Sequence, residues 1–116
     1  MATKREVERK LRELIKRLDD ADGGVRGSLA GALPDSRVIE VIVPDLGTSY
    51  WTELQGGKMG ALHSGVPSEP EIRVHVPSDV LVELVEGHRS MFSSYLSGQV
   101  KIEASFGDLL RLRKLA

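Results

Sequence analysis

The first regularity along the chain is an apolar stripe. Val7, Leu11, Leu14, Ile15 and Leu18 fall at i, i+4, i+7, i+8 and i+11, the 3.6-residue period of a helix with one covered face. The spacing predicts an amphipathic helix over residues 3–19. Thr3 and Glu6 have capping-box spacing, so such a helix satisfies its own first amide donors. Glu6 with Lys10, Glu8 with Arg12 and Glu13 with Arg17 are opposite charges four apart on its wet side. Acidic and basic residues alternate there, so the charge run reads as a solvated face rather than a membrane or partner surface. Asp20, Asp22, Gly23 and Gly24 stop the helix. A second short helix over Val25 to Leu33 fits the pattern, although its glycines weigh against it.

From Arg37 the period changes to two. Ile39, Val41 and Val43 share one side of a strand, and Val38, Glu40 and Ile42 share the other. Pro44 to Gly47 is a turn, followed by a second strand through Ser49 to Leu54. Gln55-Gly56-Gly57 reads as a hairpin into a third strand, Lys58 to Ser64. The Pro-containing loop Gly65 to Pro70 leads to a fourth. There Ile72, Val74 and Val76 alternate with Glu71, Arg73 and His75, so one face is buried and one is wet. Taken in order, these strands predict an antiparallel meander.

Ser78 is placed to cap a helix after Pro77, and Gly87 to end it. Within it Val80, Leu81, Val82, Leu84 and Val85 exceed what one stripe requires. A shorter helix carries Met91, Phe92, Tyr95 and Leu96, with Gly98 closing it. A fifth strand alternates Val100, Ile102 and Ala104 against Gln99, Lys101 and Glu103. Ser105 and Asp108 have capping spacing and open a last helix, whose apolar side is Leu109, Leu110, Leu112 and Leu115. Arg111, Arg113 and Lys114 suit its negative C-terminal end. The order predicts an α+β domain: five strands, mainly antiparallel, with helices packed on one face.

Composition narrows the function classes. The 116 residues suit a single domain over 1–116, and 41% hydrophobic with 28% charged residues is ordinary for a globular chain. Sixteen Lys+Arg against 17 Asp+Glu, with few aromatics, give no field or stacking surface for nucleic acid. The absence of Cys removes thiolate catalysis, Cys-based zinc sites and iron–sulfur clusters. No apolar run approaches membrane-spanning length, and the charged start lacks a signal core, so the expectation is a cytoplasmic chain without stable membrane insertion. His63, His75 and His88 have no partner at metal-ligand spacing and read as surface or structurally bonded imidazoles. His63-Ser64-Gly65 is not a nucleophile elbow. Gly56-Gly57-Lys58-Met59 lacks the first glycine and the metal-binding hydroxyl of a phosphate loop. The expectation is therefore no enzyme, no catalytic residue, no metal and no cofactor.

The C-terminal half resembles a known family. Asp79-Val80-Leu81-Val82-Glu83-Leu84-Val85-Glu86-Gly87, followed by Met91-Phe92-Ser93-Ser94-Tyr95-Leu96-Ser97-Gly98-Gln99-Val100-Lys101-Ile102-Glu103, is similar to the sterol carrier protein type-two domain. Upstream, Trp51 in a strand, Gly57-Lys58 at a hairpin and the strand Ile72 to Val76 fit as well, so the likeness spans about residues 37–115. Gln99 stands where the family commonly has Lys, and Ala104 where it commonly has Gly. The terminal Lys114-Leu115-Ala116 is not a Ser-Lys-Leu peroxisomal signal.

The resemblance implies a five-stranded sheet with helices over one face and a hydrophobic tunnel between them. It implies a non-catalytic carrier of lipid: sterol, fatty acid, acyl-CoA or phospholipid. Carried over by segment, the lining draws on Leu81, Leu84, Val85, Met91, Phe92, Tyr95, Leu96, Phe106, Leu109 and Leu110. The residues alone leave two alternatives open. Those apolar side chains serve equally as a filled core, with the domain acting as an interaction or homodimerisation module. An enzyme whose groups meet only in space is the third reading.

Overall fold

The computed structural model describes residues 2–20, 36–55 and 58–113, without the side chains of 17–20, 58, 59, 91, 92 and 111–113. The segment Val25 to Leu33, the Gly56-Gly57 turn and Leu115 lie outside the described residues. Helix α1, Lys4–Asp20, opens with the capping box its sequence encodes. The Glu6 amide donates to Thr3 Oγ1 at 3.1 Å, and the Thr3 amide donates to Glu6 Oε1 at 3.4 Å. Because Glu6 is spent on the cap, Lys10 pairs elsewhere, with Glu13 at 3.5 Å and Glu86 at 3.2 Å. The second contact ties α1 to the end of a helix far along the chain.

The strands are β1 Arg37–Val43, β2 Thr48–Gln55, β3 Lys58–Met59, β4 His63–Ser64, β5 Ile72–His75 and β6 Lys101–Glu103. A 3-10 turn, Pro44–Leu46, joins β1 to β2 and is closed by Gly47 in the left-handed region. The expected third strand is split in two: β3 and β4 both pair with β2, and Gly60 between them donates its amide to Glu53 O at 2.8 Å.

The sheet is mixed. Its order is β3-β2-β1-β5-β6, and β1 pairs with β5 in parallel, Val41 opposite Val74. The other pairings are antiparallel. The meander expected from strand order thus stops after β4. The chain returns to the far side of β1 through the loop 65–71, which starts at the Gly65 amide on Ser49 O and ends at the Glu71 amide on Val38 O. Alternation fixes which face of a strand is covered, but it does not choose the neighbour.

Helices α2 Ser78–Val85, α3 Met91–Leu96 and α4 Phe106–Arg113 complete the domain. Ser78 does not cap α2. It is the first helical residue, and its amide and hydroxyl donate to the two Asp45 carboxylate oxygens at 2.9 and 2.5 Å. A turn thirty-three residues upstream caps the helix. At the other end Gly87, φ +79°, closes α2, with the His88 amide reaching back to Glu83 O at 2.9 Å. Gly98 repeats this arrangement after α3. Ser105 caps α4 as expected, through the Asp108 amide at 3.1 Å.

Register separates the two faces of the sheet. Ile39, Val41, Val43, Tyr50, Leu54, Ile72, Val74 and Ile102 share the helix-covered face. Under α1 and α2 the packing is tight: Val7, Leu11, Val43, Tyr50, Val76, Val80, Leu81, Val85 and Val100 form one buried cluster. Burial there pushes the Tyr50 phenol above its ordinary pKa. A smaller cluster, Leu54 with Ile72, sits at the other end of the strands. There Arg37 makes a two-pronged contact with the buried Asp108, Nε to Oδ2 at 2.9 Å and Nη2 to Oδ1 at 3.2 Å, pinning α4 to β1.

Arg37 keeps Glu71 at 3.6 Å and the Ser36 carbonyl at 2.9 Å when Asp108 is removed, so Asp108→Ala is expected to cost about 1.5–3 kcal/mol, the worth of hydrogen bonds to a charged group. Urea unfolding of the variant against the wild-type chain checks this. The Asp45 carboxyl is held below the usual carboxylate range, chiefly by the Ser78 hydroxyl and against the opposing effect of desolvation. A depressed native pKa means the link stabilises fully above the unfolded carboxylate's pKa and fades as pH falls through the lower native value. Carboxyl NMR titration is expected to show Asp45 titrating below the ordinary carboxylate range, and Ser78→Ala to move its midpoint upward.

Candidate functional site

The centre of the covered face is apolar but not fully buried. β1 is the middle strand, yet Ile39 and Val41 on it are only half-buried, as are Val74 on β5 and Ile102 on β6. Val41, Val74 and Ile102 form a row across three adjacent strands, and Ile39 stands one step along β1. Leu84 and Val82 of α2, also half-buried, pack at the same cluster. Middle positions of a covered sheet are ordinarily the best-buried in a domain. Here tight packing lies to one side, under α1 and α2, and an apolar strip lies between that core and the Leu54–Ile72 cluster.

The lining residues expected from the sequence fall into three groups. Leu81 and Val85 are buried in the core cluster, and Leu84 borders the strip. Leu109 is half-buried, whereas Tyr95, Leu96, Phe106 and Leu110 are exposed, Phe106 to 77% and Leu96 to 68%. Met91 and Phe92 lie on α3, with side chains outside the described set. Sequence reasoning placed the candidate lining on helices and missed the sheet's own contribution from Ile39, Val41, Val74 and Ile102. The alternation that identified the strands carried that signal, since it marks which side chains face the helices.

Polar groups gather on the other face. Arg73 faces Glu40, His75 bonds Glu103 at 3.0 Å, and Trp51 stacks on His63 with ring centroids 4.3 Å apart. The His75 contact holds the Glu103 carboxyl below the usual range. Gln99 accepts from Arg89 at 2.6 Å while Arg89 also holds Glu83, which links α2 to the turn before β6. Ala104 is half-buried against the Leu54–Ile72 cluster. Among the described residues no group of three or more His, Cys, Asp or Glu is placed to hold a metal ion. No helix among them is long and apolar enough to cross a membrane.

Fold and site together define an α+β domain whose helix-bearing sheet face is apolar and only half-buried at its centre. The chain belongs to the SCP-2 sterol transfer family, whose model matches residues 6–116. Among solved structures it is similar to Sterol Carrier Protein 2 Like 2 from Aedes aegypti, at 12% identity and TM-score 0.64, over 97% of each chain. It is also similar to the ubiquinone synthesis protein UbiJ-SCP2, at 15% identity and TM-score 0.62, over 99% of this chain and 92% of that one. A third likeness is to the stereoselective inverting sec-alkylsulfatase Pisa1 from Pseudomonas sp., at 14% identity and TM-score 0.56, over 78% of this chain. The chain spans 13–14% of the length of the alkylsulfatases it matches. At these identities the likenesses are of fold. No curated protein matches the chain in sequence.

If the strip is loosely filled, enlarging a side chain there is tolerated. Val41→Ile is expected to change stability by less than about 1 kcal/mol, against about 1–3 kcal/mol for added volume in tight packing. Val43→Ile in the closed cluster is the contrasting substitution. Thermal melts of the two variants check the difference.

Proposed function

We propose that this chain is a non-catalytic carrier of an apolar small molecule: a fatty acid, acyl-CoA, phospholipid or sterol-like lipid. The observation that carries the reading is the half-buried apolar strip of Ile39, Val41, Val74 and Ile102 at the centre of a helix-covered sheet. Membership of a sterol transfer family supports it. The ligand lies against this strip, with Leu84 and Leu109 beside it. Leu81 and Val85 support that wall from the core. Tyr95, Leu96, Phe106 and Leu110 form the rim and cover an entering ligand.

The driving force is desolvation. Burying methylenes gains about 0.8 kcal/mol each, so a chain of about fourteen yields roughly 11 kcal/mol gross. Association costs reduce this to affinities on the order of micromolar. Release follows when the helical cover moves, and the domain works in the cytoplasm without stable membrane insertion.

A second reading, a homodimerisation module, is favoured by the exposure of Leu96 and Phe106. Native mass spectrometry of the gently purified chain, with added palmitate, decides between them. The carrier reading predicts a one-to-one lipid adduct, reduced at least about fivefold in Ile39→Phe, where the ring fills the strip. A lipid-free dimer with no uptake of fatty acid, acyl-CoA or sterol supports the second reading and overturns the first.

A further inference from the structure

The open face of the sheet holds a carboxylate in an unusual position. Glu40 lies in the middle of β1 on the face that carries none of the described helices, yet its side chain is only 5% exposed. Topology explains the burial. Since β1 pairs in parallel with β5, the loop 65–71 must carry the chain from beside Ser49 to beside Val38. Gly65 and Val66 of that loop share with Glu40 a depression of about 460 Å³, walled by Ile42, Pro44 and Ser49 and, at its end, by Val43 and Thr48, whose side chains the register directs to the covered face.

Among the described residues no group donates a hydrogen bond to the Glu40 carboxylate, and its ion contact is Arg73 Nε at 3.5 Å from Oε1. Arg73 itself is 48% exposed, and register sets it directly opposite Glu103. A desolvated carboxylate without a hydrogen bond is costly. Every fully buried side-chain polar atom among the described residues does have a partner, so an unbonded Glu40 oxygen keeps some contact with solvent, and Glu40 is one of the residues lining the depression. The other charges nearby do not satisfy it. Asp45, on the adjoining turn, is engaged by Ser78, and His75 is bonded to Glu103.

We infer that this depression is a second binding site, for an aliphatic ammonium ion: a cation on an apolar stem of lysine length. Ile42, Pro44 and Val66 enclose the stem, and the ammonium donates to Glu40 and to Ser49 Oγ, whose own hydrogen is given to Gly65 O at 3.1 Å. Arg73 moves aside onto Glu103 as the ammonium takes its place. The site lies on the opposite face from the apolar strip and does not depend on lipid binding there.

The test is an amide NMR titration of the full chain with n-pentylamine, with n-pentanol as the neutral match and Nα-acetyl-lysine methylamide as the protein-like source. Saturable shifts at Thr48, Ser49, Gly65 and Val66 with n-pentylamine, absent with n-pentanol, are expected. Glu40→Gln is expected to weaken them about tenfold or more, the worth of a charge-assisted hydrogen bond. Arg73→Gln is expected to tighten binding several-fold, and it carries the test if Glu40→Gln fails to fold. Shifts with the lysine derivative equal to or stronger than those with the free amine assign the site to a partner's side chain. Shifts with the amine alone assign it to a small metabolite. No saturable shift from either cation, equal shifts with n-pentanol, or no tightening in Arg73→Gln would overturn the inference.

Discussion

The parallel pairing of β1 with β5 is the constraint on which the rest of this molecule depends. Parallel neighbours require a crossover, and here it is built from the β2 hairpin and a loop rather than from a helix. The pairing puts β1 at the centre of the sheet and β6 at its far edge. It therefore sets Val41, Val74 and Ile102 side by side on the covered face, and Glu40 under the returning loop on the open one. Both candidate binding surfaces are consequences of one strand pairing.

Polar contacts then fix the covering elements at their ends. Asp45 holds the start of α2, Arg37 holds the start of α4 through Asp108, and Lys10 reaches Glu86 at the end of α2. Each is a contact from one element to the terminus of another. α2 is held most firmly, because it also supplies Val80, Leu81 and Val85 to the Val7–Tyr50–Val76 cluster, whereas no described residue of α4 belongs to that cluster.

What the sequence made legible was local. The apolar stripe and Thr3–Glu6 box of α1, the period-two strands, the glycine stops at Gly87 and Gly98, and the Ser105 cap all rest on residues within a few positions of one another. The family likeness was equally readable, because it lay in a contiguous stretch. What was not legible was long-range. Arg37 and Asp108 are 71 positions apart, and nothing in either neighbourhood marks the other. The Glu6–Lys10 spacing pointed to an ion pair that the capping box pre-empts. Alternation in Ile72 to Val76 identified a strand but not its neighbour, so the parallel pairing stayed hidden, and with it the burial of Glu40.

The central claim is that the middle of the covered face receives the ligand, and contact mapping tests it most directly. With ¹³C-labelled palmitate and methyl-labelled protein, the account predicts intermolecular NOEs from the acyl chain to Ile39, Val41, Val74 and Ile102. NOEs confined to the exposed Leu96 and Leu110, or no bound palmitate at all, would contradict it.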